Sequence, residues 1–550
     1  VATTAYRYYE QYMNEAASAN PKTFVVENVQ KAQIATGALI NGFFTLLSRI
    51  FGLVRDVMIF HIFGATLLTD SFTVAFTIPN VLRQFFGEGS FGVAFVPVYM
   101  RTRENEGEQK AAEFFKDAFG VLLLGLLAVT ACGMIFADLW VYLFALGFAK
   151  HPEQLSLTTT MTRWLFPYVL MVSLVALFGA YLNCFSRYAA MAAAPILLNV
   201  ASIVLMVYAP QYFSPPIMVL VAGVLVGGVL QVGLLFWALW RQGLWRWPSF
   251  SWSSVAMKSL LKLLGPALFG VFVYQLNIIV LRQLASFLSE GQISYYYNAD
   301  RLTQFATGVF AISIATAALP EFSRSLAQKG MAALGETLRF TLSMISFIVV
   351  PSALGLMVFA LPIVSVIFQH GAYGQVDAEV TALTLLAFAP SLVAVSLSRS
   401  LIQIYYALAD TVTPVLVGIF TVIANLLLGL WLIRFEVPGL ALTLSISSFC
   451  QLLILLYLLR HKNENFNFRA LLKPFLSHIA MAAIACGVGL LFNRLGDWST
   501  GFSIKNCLVL GVVVGSTAMS YFGFSYYFKI DEAKKLFGVL KNRVQQYRKF

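Results

Sequence analysis

From residue 34 to residue 528 the sequence is a succession of apolar runs separated by short polar punctuation. Each run is about 20 residues long, the length an α-helix needs to cross the hydrocarbon core of a bilayer. Backbone groups in lipid have to be hydrogen-bonded within their own segment, so the pattern prescribes an all-α polytopic membrane protein. Composition agrees: 59% of residues are hydrophobic and 11% charged, where a soluble domain carries roughly a quarter charged residues.

The same pattern excludes several functions. No polar stretch between runs is long enough to fold as an extramembrane catalytic domain, so any activity resides in the helical bundle. The five cysteines and five histidines are dispersed, with no close pairs, which argues against a disulfide framework or a zinc site. There is no phosphate-cradling Gly-Lys-Ser/Thr loop and no assembled Ser, His and Asp constellation. The chain therefore reads as neither a direct user of ATP nor an enzyme.

Punctuation by Gly, Pro and charge divides the sequence into about fourteen spans. Most of the 37 Lys and Arg lie in the loops after even-numbered spans and in the two tails, and few lie in the opposite loops. The positive-inside rule then places both termini in the cytoplasm. This accounts for the basic net charge without nucleic acid. The basic tail 531–550 has Leu536, Phe537, Leu540, Val544 and Tyr547 at helical spacing, as expected of a helix lying on an anionic leaflet. The linker 241–259 is rich in tryptophan and arginine, the composition of a headgroup-level segment.

An internal repeat emerges from the prolines. Phe95-Val96-Pro97 aligns with Ala318-Leu319-Pro320 at an offset that also carries Pro167 onto Pro390, and with a short deletion Pro195 falls on Pro414. The organisation that follows is an N-lobe, 34–240, and a C-lobe, 260–459, of six spans each, related by an axis along the membrane normal. Two further spans occupy 460–530. A polar N-terminal extension, 1–33, is expected to be a processed end or an appended remnant and carries no assigned function.

The densest information lies in the charges within spans. Span one contains Ser48-Arg49-Ile50-Phe51-Gly52-Leu53-Val54-Arg55-Asp56. A charge at the centre of a span costs about 2.5 to 3.5 kcal/mol on insertion scales, so three of them do not face lipid. At 3.6 residues per turn Arg49 and Asp56 share a face and Arg55 points elsewhere, which suits a wide hydrated cavity better than one narrow ion pair. Span two begins near Asp70 and holds Pro79-Asn80, Arg83 and Gly87-Glu88-Gly89, the signature of a kinked or broken helix. The second lobe supplies Asn298-Ala299-Asp300-Arg301, and the preceding span adds Arg282. Arg49, Arg55, Arg83 and Arg301, partly offset by Asp56, Asp70, Glu88 and Asp300, make a cationic site between lobes. Guanidinium forks match phosphate oxygens and stay charged at any working pH, so the expected ligand is an anion such as a pyrophosphate.

Ser48 to Asp56, Thr69-Asp70-Ser71-Phe72-Thr73-Val74-Ala75-Phe76-Thr77-Ile78-Pro79-Asn80, Phe86-Gly87-Glu88-Gly89-Ser90-Phe91 and Ala94-Phe95-Val96-Pro97 resemble the bacterial MurJ (MviN) family of lipid II flippases. Asn298-Ala299-Asp300-Arg301-Leu302 and Phe166-Pro167-Tyr168 are further landmarks of the resemblance, which covers roughly residues 34 to 530. The resemblance implies two six-helix lobes, as in multidrug extruders of the same superfamily, and two terminal helices lining a groove for a polyprenyl tail. It implies movement of lipid II, the undecaprenyl-pyrophosphate-linked peptidoglycan precursor, between leaflets of the inner membrane for cell-wall synthesis. The family's cavity arginines correspond to Arg49, Arg55, Arg83 and Arg301, and its acidic residues to Asp56, Asp70 and Glu88. Lipid II, membrane lipids and the cell-wall synthesis machinery are the implied partners. No cofactor is expected; some relatives bind sodium, but the ligands have no match here and a monovalent coupling ion is left unassigned. Arg282 matches no family motif. An O-antigen type flippase and a cation-coupled multidrug exporter are the alternative readings.

Overall fold

The computed structural model describes residues 21–85, 90–462, 469–535 and 538. Helices account for nearly all of the described residues, with no strand among them. In the first half, α1 (Pro21–Phe63), α2 (Leu67–Arg83), α3 (Ser90–Glu106), α4 (Glu108–Ile135) and α5 (Ala137–Ala145) are followed by α6 (Pro152–Leu165), α7 (Pro167–Asn183), α8 (Ala189–Tyr208) and α9 (Met218–Arg241). The second half contains α10 (Val255–Ala285), α11 (Gln292–Val358), α12 (Ala360–Phe368), α13 (Gln375–Ala407), α14 (Val412–Leu432) and α15 (Glu436–Lys462). Two more helices, α16 (Arg469–Asn493) and α17 (Ile504–Tyr527), complete the bundle.

Local chemistry sets the helix boundaries. Pro152 and Pro167 occupy the first turns of α6 and α7, where a missing N–H costs nothing. The Ser254 hydroxyl accepts the Met257 N–H at the start of α10, and Ser503 accepts that of Asn506 at the start of α17. Pro167 and Pro390 occupy matching places in the spans Pro152–Asn183 and Gln375–Ala407, although the backbone turns at Phe166, so that Pro167 opens α7, and runs unbroken through Pro390 in α13.

Nine stretches of the described residues are long and apolar enough to cross a membrane, against about fourteen expected. Two of them, Pro152–Asn183 and Val412–His461, hold two helices each, the first a single span broken at Phe166 and the second long enough for two spans. Charge explains part of the difference, because α1 carries Arg49, Arg55 and Asp56, and α2 is 17 residues long. Two expected boundaries also move. Helix α1 begins at Pro21, inside the expected polar extension, because no bilayer thickness limits a helix outside lipid. Helix α11 is continuous over 67 residues where two spans were expected. A straight helix of that length would reach about 100 Å. Yet Tyr295 near its start stacks against Tyr373, which lies just beyond α12, with ring centroids 6.4 Å apart. The helix therefore doubles back, and its two arms occupy the places of the two expected spans. The apolar face of the tail falls on Leu536, Phe537, Leu540, Val544 and Tyr547, outside the described residues; its first turn places Glu532 against the bundle.

The bundle is apolar outside and polar inside. Leu427, Leu430 and Trp431 of α14 and Leu508 and Met519 of α17 are exposed, while Asp56, Asp70, Asn199 and Asn425 are buried. This arrangement suits lipid as the solvent. One core cluster belongs to the first half, around Phe72, Phe76, Tyr168 and Leu220. Another unites the second half with α16 and α17, around Phe347, Leu401, Leu455 and Tyr521. A third joins the halves, with Phe60, Phe144 and Val169 packed in one cluster with Leu281, Tyr296 and Phe368.

Candidate functional site

Between the halves lies a cavity of about 1230 Å³. Helix α1 runs along its length, from Asn41 to Phe60. One end is sealed beyond Phe60. The other reaches the loops between α7 and α8 and between α13 and α14, where Asn183, Met191, Tyr406 and Pro414 line it.

The seal is a hydrogen-bonded seam. Asp70 Oδ2 accepts the Gly291 N–H at 2.7 Å, and Oδ1 accepts the Ser294 N–H at 2.8 Å and its hydroxyl at 2.6 Å. These backbone donors belong to the N-terminal turn of α11, which has no intrahelical acceptors for them and favours negative charge. Asp70 therefore caps a helix of the other half. Glu290 Oε1 accepts the Leu67 N–H at 2.6 Å, so the first turn of α2 receives a carboxylate in return. The His61 carbonyl accepts the Ala372 N–H at 2.8 Å. Gly64 and Gly371 both have φ of 64°; a Cβ on Gly64 would lie 2.8 Å from the Ala372 carbonyl, and one on Gly371 would overlap His61. The His61 and His370 Nδ1 atoms are 3.0 Å apart, and His370 Nε2 is 3.0 Å from the Ile367 carbonyl. If His370 Nε2–H donates to that carbonyl, its Nδ1 is the acceptor and His61 Nδ1–H donates across the seam.

Asp70 was expected among the cavity charges and instead closes the cavity's end. Sequence position places it at the start of a helix, but its partners come from residues more than two hundred positions away.

The cavity wall has the opposite character. Arg49, Arg55, Arg83, Arg282, Arg301 and Arg399 line it, and Asp300 is the one carboxylate among the described lining residues. Asp56 lies behind the wall, 0% exposed. It accepts Arg55 Nη2–H at 2.7 Å through Oδ1, Arg301 Nε–H at 2.8 Å through Oδ2, and the Tyr297 hydroxyl at 3.3 Å. The sequence reading favoured a wide cavity over a narrow ion pair, and the structure contains both. Successive residues on a helix diverge, but the Arg55 side chain is long enough to turn back onto its neighbour while its guanidinium lies 5.8 Å from the Phe76 ring. Arg49 Nη1–H donates to the Gln304 carbonyl at 3.3 Å, and Asp300 accepts Gln304 Nε2–H at 2.7 Å. Asn80 and Arg83 also face the cavity. Glu88 lies outside the described residues.

Two contributors escaped the sequence reading. A Cβ on Gly52 would lie 2.6 Å from Arg301 Nη2; the bare backbone lets the guanidinium of one half rest against a helix of the other. Its signal was a glycine between two in-span arginines. Arg399 projects from α13 into the cavity, and its signal was an arginine inside an otherwise apolar run. Amides complete the wall, including Asn199, Gln231, Asn277 and Asn425.

A family model described as "Lipid II flippase MurJ" matches residues 59–509. The chain belongs to that family. The protein called "Probable lipid II flippase MurJ" from Haemophilus influenzae is 34% identical over 473 residues, 83% of this chain and 92% of the relative. Its counterpart in Bdellovibrio bacteriovorus is 32% identical over 496 residues, 90% of this chain and 94% of the relative. Among solved structures, one described as "Lipid II flippase MurJ, inward closed conformation" superposes with a TM-score of 0.74 at 24% identity, covering 90% of this chain and 99% of that one. An inward-facing multidrug resistance MATE family transporter of the MOP superfamily gives a TM-score of 0.64 at 12% identity, covering 77% and 98%. At these identities the structural likeness establishes the fold, and the sequence relatives establish the family. The chain is a multi-pass membrane protein with a transporter fold.

Proposed function

We propose that this chain is a lipid II flippase that carries the undecaprenyl-pyrophosphate-linked peptidoglycan precursor from the inner to the outer leaflet of a bacterial cytoplasmic membrane. The observation that carries this reading is the charge of the cavity, lined by six arginines and one carboxylate among the described residues. A cavity selecting cationic drugs would have the reverse sign. A membrane-buried anion with a sugar and peptide headgroup fits guanidiniums flanked by amides, and family membership separates lipid II from other polyprenyl-linked sugars.

In the proposed cycle the termini are cytoplasmic and the seam at Asp70 faces outward, so the headgroup enters from the cytoplasm. Arg49, Arg55, Arg83 and Arg301 hold the pyrophosphate while the two halves rock about it. The polyprenyl chain stays in lipid beside α16 and α17, of which α17 is the least buried of the apolar spans. No covalent step and no cofactor are assigned. Membrane potential can bias the cycle, since each charge carried across is worth about 2.3 kcal/mol per 100 mV.

The test is rescue of a flippase-depleted strain, with lipid II exposure on the outer leaflet as the readout. The chain is expected to restore exposure, and Arg301→Ala to insert normally without restoring it. Unchanged exposure on acute loss of the wild-type chain would refute the assigned substrate.

A further inference from the structure

Arg282 stands apart from the other cavity arginines. It lies on α10, three residues before the helix ends, and is 7% exposed. Its nearest neighbours are two aromatic faces, with the guanidinium carbon 5.9 Å from the Tyr296 ring centroid and 5.8 Å from that of Tyr297. Those distances are at the outer limit of a cation–π contact. Nη1 is buried with no hydrogen-bond partner, and Arg282 has no ion pair among the described residues. The neighbouring carboxylates offset its charge from a distance without touching it: Asp300 accepts Gln304 Nε2–H, and Asp70 accepts the Gly291 and Ser294 N–H groups.

Arg55 makes the contrast plain. It is 8% exposed, as buried as Arg282, yet Asp56 takes both its Nε–H and Nη2–H. An arginine that braces helices looks like Arg55, because a buried charge is tolerated when it is paired and hydrogen-bonded. Arg282 borders the cavity with donors unused. A guanidinium cannot shed its charge to escape burial, so its unfilled donors are left for an acceptor that arrives from elsewhere.

We propose that Arg282 is a substrate-phosphate ligand, receiving the pyrophosphate of the lipid-linked substrate at the sealed end of the cavity. The inference rests on the flippase reading and extends its anion site toward the seal. Tyr297 lies one helical turn beyond Ser294, whose hydroxyl and N–H bind Asp70. A phosphate on Arg282 therefore stands next to the hydrogen bonds that have to break before the far side opens. Arg49, Arg55 and Arg301 meet the headgroup along α1; Arg282 meets it last.

The test uses the full chain in lipid nanodiscs with inorganic pyrophosphate as probe, reading affinity and melting temperature for wild type, Arg282→Gln, Arg282→Lys and Arg301→Ala. Arg282→Gln is expected to weaken pyrophosphate binding by tenfold or more while its ligand-free melting temperature stays level or rises, because an uncompensated buried charge has been removed. Arg282→Lys keeps the charge without the fork and is expected to lose affinity severalfold; it carries the test if Arg282→Gln does not insert. A ligand-free melting temperature that falls on Arg282→Gln, or an affinity that matches wild type, would overturn the proposal. Loss of binding in Arg301→Ala alongside wild-type affinity in Arg282→Gln would do so while leaving the flippase reading intact. A wild-type chain that binds no pyrophosphate would overturn both.

Discussion

The sealed end and the cavity beneath it are built from the same residue types and used in opposite ways. At the seam each carboxylate is matched to backbone donors: Asp70 to the first turn of α11, and Glu290 to the first turn of α2. In the cavity the guanidiniums outnumber the carboxylates, and Arg282, set between two tyrosine rings, has neither a hydrogen bond nor an ion pair among the described residues. A fully satisfied network holds a conformation, whereas a buried donor left unpaired is costly and, on the proposed reading, is completed by the ligand. The contrast separates the part of the bundle that has to be stable before transport from the part completed by its cargo.

The largest expected effect breaks this contrast at Asp56, the one strongly engaged anion of the cavity. Asp56→Ala strands Arg55 and Arg301 in a low-dielectric interior and is expected to destabilise the protein by about 3–5 kcal/mol, read as a lowered melting temperature. Next comes the seam. Asp70→Ala leaves the Gly291 and Ser294 N–H groups without an acceptor, at about 1–3 kcal/mol for each buried donor left unpaired. The closed state then loses population, which a lengthened distance between labels on Phe63 and Ala372 would report; an unchanged distance would show that the seam does not depend on this cap.

A carboxylate held away from the cavity sharpens the comparison. Glu532, in the first turn of the tail, is 3.5 Å from His478 Nε2 and accepts the Ser343 hydroxyl. Burial alone would raise its carboxyl, but the adjoining His478 and the Ser343 hydroxyl prevail and hold it down at about 2. A depressed carboxyl stabilises docking fully above its ordinary value of 4.5 and loses that contribution as pH falls toward about 2. Amide protection factors at 531–535, corrected for the intrinsic pH dependence of exchange, are therefore expected to fall across that interval. Glu532→Gln should cost about 1–2 kcal/mol of docking at neutral pH. The smallest effect is at the histidines. Burial holds His370 below the ordinary 6.5, with the adjoining His61 lowering it further and the Ile367 carbonyl opposing. Closure is thus fully supported above about 6.5 and weakens as pH falls, by a few tenths to about 1 kcal/mol after screening. His370→Asn, which removes the titrating group, should flatten that response in the same label-distance measurement.

Sequence made the cavity arginines legible because the cost of burying charge in lipid is steep enough to demand a reason for each one. Arg49, Arg55, Arg83 and Arg301 could be picked out by depth alone, and all four line the cavity. Asp70 could not be placed, since nothing in its neighbourhood reveals that it caps a helix of the other half. Gly52 was equally silent: its importance is the absence of a Cβ beneath a guanidinium encoded 249 positions later. The double-backed α11 escaped because apolar periodicity reports which face of a helix is buried, and a continuous helical backbone through a polar stretch leaves no mark in that signal. Arg399 was visible as an in-span charge but adjoins no charged neighbour that would connect it to the others.

The Asp56 carboxylate also bears on the journey without cargo. One oxygen takes the Nε–H and Nη2–H of Arg55 and the other takes the Nε–H of Arg301, donors of the kind a phosphate group would claim. The residue is in effect a tethered imitation of the substrate's own anion. On the proposed reading, a carrier so equipped would return through the membrane with those guanidiniums already paired and half their charge offset, and a pyrophosphate would gain entry by displacing the carboxylate. Selectivity then begins with displacement: an anion too weak to dislodge Asp56 leaves the two halves clasped to each other.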